Sequence, residues 1–158
     1  MEKKFTHFDD DGNPNMVDIS DKEQSKRIAI ATGKVIMKKN TLDLIEENKI
    51  KKGDVFQIAN IAGIQAAKKT DHLIPLCHSL PLSYVKIKFN TDSNQNCVEI
   101  KAEVSLIGKT GVEMEALTAV TVSALTIYDM CKSVDKTINI TEIKLIHKSG
   151  GKTGTFNA

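Results

Sequence analysis

The chain has 158 residues, Lys+Arg 22 against Asp+Glu 20, a formal net charge of +2, 4% aromatic residues and no tryptophan. That length suits one domain with a real core. The scattered charge gives no strong electrostatic case for nucleic acid or a membrane surface, and the few aromatics weaken any single-strand stacking platform.

Three cysteines without CxxC spacing argue against a disulfide framework and for a reducing cytoplasm. The charged start MEKKFTHFDDDG lacks the apolar core of a signal peptide. Residues 1–20 carry Asp9-Asp10-Asp11-Gly12-Asn13-Pro14, turn chemistry with little to bury, and are expected to form an extended or mobile arm. A strand is predicted from Arg27 to Met37, with Ile28, Ile30 and Ile36 on one phase and Ala29, Ala31, Val35 and Met37 on the other. Asn40 is placed to cap a short helix, Leu42 to Asn48. Gly53 breaks the chain, and a second helix runs from Asp54 to Lys68 with Ile58, Ile61, Ala62 and Gln65 in helical period.

Leu73 to Pro81 reads as a loop rich in proline and apolar residues. Two strands follow, Tyr84–Asn90 and Val98–Ile107, joined by the polar turn 91–96. In each, apolar residues alternate with charged ones, so one face is buried and the other carries cross-strand ion pairs that contribute little each.

The segment Lys109 to Lys132 organises the rest. Thr110-Gly111-Val112-Glu113 fits a capping box, and Leu117, Val120, Ala124, Ile127 and Cys131 make an apolar face. The opposite face carries Thr118, Val122 and Thr126, so the helix is expected to be covered on both sides. It is too short and too rich in threonine to span a bilayer. A last strand, Ile138 to Ile146, slips its apolar phase near Thr141, which predicts a bulge. The domain is thus expected to cover 21–148, with a Gly-rich flexible tail at 149–158. The order strand, helices, two strands, helix, strand matches the split β-α-β unit: an α+β, ferredoxin-like antiparallel sheet with helices on one face.

Several residues could carry chemistry. Pro75 and Pro81 bracket Leu76, Cys77 and His78, so the imidazole is either an active-site wall or a locally satisfied loop residue. Adjacent side chains in extended chain diverge, which argues against a Cys77–His78 nucleophilic pair. The four histidines show no ligand spacing with the cysteines, so no metal site is predicted. Gly108-Lys109-Thr110-Gly111 is no Walker loop, yet it leads into a helix start where free amides favour an anion; a plain turn with a solvated lysine is the alternative. Lys51-Lys52 and Lys68-Lys69 read as phosphate contacts or solvated surface, and most lysine pairs are only solvated surface. Asp129 and Lys132, three apart at a covered helix end, are an acid/base pair or an ordinary ion pair.

Taken together, Met16-Val17-Asp18-Ile19-Ser20, Lys52-Gly53-Asp54-Val55, Ile61-Ala62-Gly63-Ile64-Gln65-Ala66-Ala67-Lys68, Leu73-Ile74-Pro75-Leu76-Cys77-His78, Gly108 to Leu117, Tyr128-Asp129-Met130-Cys131-Lys132 and Lys148-Ser149-Gly150-Gly151-Lys152 resemble the cyclic pyranopterin monophosphate synthase family of molybdenum cofactor biosynthesis, over nearly the whole chain. The resemblance implies a ferredoxin-like fold, a homohexamer built as a trimer of dimers, and a cytoplasmic enzyme. It implies the rearrangement of 3′,8-cyclo-7,8-dihydro-GTP to cyclic pyranopterin monophosphate with release of pyrophosphate. It also implies substrate contacts at Leu76, Cys77, His78, Glu113, Met114 and Glu115, with Asp129, Lys52 and Lys132 as catalytic residues. Cations for the triphosphate are then sought among Lys68, Lys69, Lys109, Lys148 and Lys152. No cofactor is called for, and whether Mg²⁺ accompanies the triphosphate is open. A lysine whose pKa is lowered by burial or a second cation would suit the proton transfers. A nucleotide- or RNA-binding module on the same fold is the rival class, but the sheet offers only Tyr84 and Phe89 in place of paired stacking aromatics.

Overall fold

The structure, a computed structural model, describes residues 7–9, 11–151 and 154–158. Its elements run β1 (Ser25–Ile36), α1 (Lys39–Glu46), α2 (Val55–Ala67), α3 (Thr70–Leu73), β2 (Tyr84–Asp92), β3 (Cys97–Gly108), α4 (Glu113–Cys131), β4 (Asn139–Ser149) and β5 (Phe156–Asn157). The sheet order is β2-β3-β1-β4-β5 with every neighbour antiparallel. That is the order of a split β-α-β pair, so the ferredoxin-like α+β expectation holds.

The phase of β1 decides which face is core. Ala29, Ala31, Gly33 and Val35 are buried, while Ile36 is exposed. Small residues win because α4 lies directly on them: a Cβ at Gly33 would meet Val120 Cγ1 at 2.7 Å. From β3 come Val98, Ile100, Ala102, Val104 and Leu106, all buried. The opposite face is charged and open, with Lys34 bridging Glu99 at 3.5 Å and Glu142 at 3.8 Å.

The second helix departs from expectation. Ile58 and Ile61, predicted to set its periodic face, are 45% and 55% exposed, whereas Ala59, Gly63, Ala66 and Ala67 are buried. Small residues let α2 and α4 approach closely. Ser123 Oγ donates to Ala59 O at 3.0 Å, and a Cβ at Gly63 would lie 2.9 Å from Ala119 O. The isoleucines are left outside. Helix α4 itself is covered by α2 on one side and the sheet on the other, as its two uncharged faces predict. Thr121 and Thr126 satisfy their hydroxyls on the carbonyls of Leu117 and Val122.

Both predicted caps at Asn40 and Thr110 are corrected. Helix α1 starts at Lys39 after an N-cap, Lys38, without a side-chain cap of its own. The acceptor comes from far along the chain: Asp135 Oδ2 takes Lys38 N at 2.9 Å and Thr41 Oγ1 at 3.3 Å. Helix α4 starts at Glu113 after Val112, again with no side-chain cap. The predicted box does not form because α4 starts at Glu113 itself, which is then N1 rather than N3, and its carboxylate instead meets Lys148 at 3.0 Å. Asp54 does cap α2, accepting from Gln57 N at 3.0 Å.

The bulge in β4 lies where the phase slip placed it. Register jumps between Thr32 and Lys34, and Glu142 has φ 53°. A second shift, between Ile30 and Ala31, was not legible. Of the predicted arm, residues 1–6 and Asp10 lie outside the described residues; Asp9 Oδ1 closes a turn by accepting from Asp11 N and Asn13 N. In the predicted tail, Phe156–Asn157 pair with β4 as a short strand, and Lys152 lies outside the described residues.

Candidate active site

Two groups of predicted site residues form at opposite ends of α4. At its C-terminal end, Asp129 collects two lysines. Lys132 Nζ lies 2.7 Å from Asp129 Oδ1, an ordinary i,i+3 reach. Lys52 arrives from the turn between α1 and α2, where Gly53 holds φ 108° and Asp54 then starts the helix. Its Nζ donates to Asp129 Oδ2 at 3.0 Å and to Asp129 O at 2.8 Å. All three side chains are about half exposed.

The hydrogen bond from Lys132, then that from Lys52, holds the Asp129 carboxyl below its usual range. Reciprocally, the bond to Asp129 raises Lys132 above the usual lysine range. The expectation of a lysine made basic at neutral pH by burial is therefore corrected for Lys132 in this chain. It is an ammonium fixed on a carboxylate, a cation placed to oppose negative charge.

At the N-terminal end, Met114 is exposed and Glu115 is 4% exposed. Burial pushes the Glu115 carboxyl up to about 7; its own backbone amide opposes this, and Glu113 and Asp71 add to the rise. The Cys77 thiol, half-buried nearby, is raised by burial and by the charges of Glu115 and Asp71. A thiol so placed is a poor nucleophile. Leu76 is half-buried in the same loop. His78 Nε2 lies 2.8 Å from Val17 O.

Lys109 and Lys148 line a cleft of about 750 Å³ together with Arg27, Ser25, Glu113 and Gly150. Lys109 Nζ donates to Ser20 O at 2.6 Å. Arg27 donates from Nε to Gly108 O at 3.2 Å and from Nη2 to Lys109 O at 3.3 Å. Gly150 and Gly151 lie close against the Arg27 side chain, where a Cβ on Gly151 would collide with Arg27 Nη1. Sequence reasoning passed over Arg27. The signal was available, since it is the sole arginine among 22 basic residues. The cleft also holds Ser25 Oγ, buried and without a hydrogen-bond partner among the described residues. Lys68 and Lys69 sit exposed at the end of α2, outside this cleft and away from the Asp129 group.

Sequence spacing sets the distance between the two groups. Glu115 and Asp129 are fourteen positions apart on α4, roughly 21 Å along its axis at 1.5 Å per residue. One end offers fixed ammonium groups around an ionised carboxylate. The other offers a buried carboxyl that titrates near neutrality, an imidazole and a cation-lined cleft. An α+β sheet domain thus carries ionisable side chains at both ends of its central helix, with a cation-lined cleft at one of them.

A profile of the MoaC family matches residues 16–151, and the chain belongs to that family. Three relatives named cyclic pyranopterin monophosphate synthase align almost end to end. That of Desulforapulum autotrophicum is 55% identical, over 98% of this chain and 94% of the relative. That of a Thermoanaerobacter species is 53% identical over 96% of each. That of Clostridium perfringens is 52% identical over 99% of each.

Proposed function

We propose that this chain is a cyclic pyranopterin monophosphate synthase, a pyrophosphate-releasing lyase of molybdenum cofactor biosynthesis, and that Lys52 and Lys132, held by Asp129, move its protons. The observation that carries the mechanism is the cluster at the end of α4. Two lysines from segments 77 and three positions away converge on one carboxylate. Asp129 could either position Lys132 or take a proton itself. A carboxyl held low by two ammonium groups stays ionised, which favours positioning.

The reaction rebuilds a purine as a pterin without a redox step, so protons must be delivered and removed at several ring atoms. Lys132 and Lys52 supply N–H donors for that work. Closing the cyclic phosphate requires a ribose oxygen to displace pyrophosphate, and the developing charge calls for fixed cations. In the cleft, Arg27, Lys109 and Lys148 meet that need. Glu115, with Leu76, Cys77, His78, Glu113 and Met114 around it, forms the surface for the ring system.

A site of this size cannot use Glu115 and Asp129 of one chain on one ring across roughly 21 Å. The assembly is a cytoplasmic homohexamer, a trimer of dimers, in which the Asp129 end of one chain faces the Glu115 end of another. Exposed Ile58, Ile61 and Leu125 on the outer surface of the helical layer support this, as apolar surface that a second chain would cover. The direct test is turnover of 3′,8-cyclo-7,8-dihydro-GTP by the purified protein. Cyclic pyranopterin monophosphate and pyrophosphate should appear in equal amounts; no pyrophosphate release under saturating substrate would reject the assignment.

A further inference from the structure

The arm segment just before the domain touches both halves of the Glu115 end, and it does so with backbone acceptors. His78, on the proline-bracketed loop, places Nε2 2.8 Å from Val17 O. Lys109, on the loop leading into α4, donates to Ser20 O at 2.6 Å. Asp18 closes the turn between these two carbonyls, its Oδ1 accepting from Ser20 N at 2.8 Å. Bonds from Ser20 hold the Asp18 carboxyl below its usual range, with Lys109 and His78 adding smaller contributions. One four-residue turn therefore joins two loops that are far apart in sequence.

A carbonyl oxygen can only accept, so the nitrogen facing Val17 must carry a hydrogen. In the neutral imidazole the other nitrogen, Nδ1, is then left with a lone pair. We infer that the turn Val17–Ser20 is a positioning strap that locks neutral His78 as the Nε2–H tautomer, so that Nδ1 is the acceptor offered to substrate, while the same turn fixes the ammonium of Lys109. This rests on the reading of His78 and Lys109 as substrate residues. It adds that His78 acts on substrate through Nδ1, as acceptor or base, and that residues 17–20 are a functional part of the site. Within the arm the bond is specific: the neighbouring Asp9 turn keeps its hydrogen bonds among residues 7–15 of the described chain.

The tautomer can be read without substrate. In full-length protein labelled with ¹⁵N-histidine above pH 8, the ring signals of His78, assigned by their loss in His78→Gln, should show a protonated Nε2 and an unprotonated Nδ1. His147 gives an internal contrast, because its Nδ1 is the nitrogen hydrogen-bonded, to Asn157 Oδ1 at 2.7 Å. Asp18→Ala removes the acceptor that closes the turn and should move the His78 signals toward the values of an imidazole exchanging between tautomers. It should also lower kcat/KM by roughly tenfold or more. Asp18→Asn keeps an oxygen acceptor and should restore both readouts most of the way, whereas Asp9→Ala should change neither. An Nδ1–H tautomer in the unsubstituted protein overturns the proposal. So does Asp18→Ala with unchanged signals and unchanged kcat/KM. If the protein shows no turnover but His78 is locked as described, the strap stands and the assignment of the reaction fails.

Discussion

Asp135 offers the sharpest test of how the Lys132 end is held. It is 1% exposed and accepts four hydrogen bonds: from Lys38 N at 2.9 Å, Thr41 Oγ1 at 3.3 Å, Thr137 N at 2.9 Å and Thr137 Oγ1 at 2.6 Å. Burial pushes its pKa up, but the bonds from Thr137 and Lys38 outweigh that and bring it from 3.8 to about 2. At ~1.36 kcal/mol per pKa unit this displacement is about 2 kcal/mol of folding stability, to order of magnitude. The folded pKa is depressed, so the contribution is complete above pH 4 and is lost as pH falls through 2, with roughly half left near pH 3. Asp135→Asn cannot carry that charge. In thermal melts at fixed protomer concentration near pH 7, it should lie about 4–8 °C below the unsubstituted protein, taking about 2–4 °C per kcal/mol for a chain of this length. The gap should shrink by about half at pH 3. A gap of the same size at pH 7 and pH 3 would show that the charge on Asp135 is not what secures the junction, and the reasoning would fail. A gap below one degree at pH 7 would refute it as directly.

Four further outcomes follow from the site. Lys52→Ala and Lys132→Ala should each cut turnover by about a hundredfold or more, the usual loss for a general acid or base, and a near-native rate in Lys132→Ala removes that residue from the mechanism. Lys109→Ala should weaken binding of substrate more than binding of an analogue lacking the triphosphate; equal losses would make it a turn residue only. Glu115 has a raised folded pKa, so its ionisation costs stability as pH climbs from 4.5 toward 7. Glu115→Gln should accordingly melt higher than the unsubstituted protein at pH 8 and match it near pH 4, and coincident melts at both values would contradict the burial argument. Mixing inactive Glu115→Ala and Asp129→Ala chains under subunit exchange should regenerate activity; mixed hexamers that stay inactive would place both residues in one chain's site.

Much of the fold was legible because the β2 and β3 strands alternate cleanly and α4 keeps its helical period. The strand order, the covered α4 and the bulge near Thr141 follow from those patterns. What was not legible depends on partners brought from elsewhere. The α1 start looked like an Asn40 cap because nothing local announces Asp135, almost a hundred positions later. The capping box at Thr110 failed because the helix begins only at Glu113, whose carboxylate turns to Lys148 from the far end of the chain. The periodic face of α2 was read from its large residues, whereas close helix packing selected Ala59 and Gly63. For the site, the i,i+3 pair Asp129–Lys132 could be read from spacing. That Lys52 completes it came only from family resemblance, and its geometry only from the fold. Arg27 was missed because one arginine at a strand start has no periodic signature.

The central position of β1 has a consequence for how the molecule is made. Ala29 pairs with Val104 on one side and with Lys148 on the other, so the first strand synthesised has both its partners far downstream. Contacts this distant in sequence slow folding, since long loops must close before any pairing rewards them. On the ribosome, β1 stays open on both edges until β3 arrives, and it keeps one edge open until β4 has been translated. Such an edge is a template for unwanted pairing between nascent chains. Its small residues, Ala29, Ala31 and Gly33, confine that hazard to one face, since the apolar surface an unpaired β1 offers comes chiefly from Ile28, Ile30 and Ile36 on the other phase. The same small residues let α4 lie close in the finished protein.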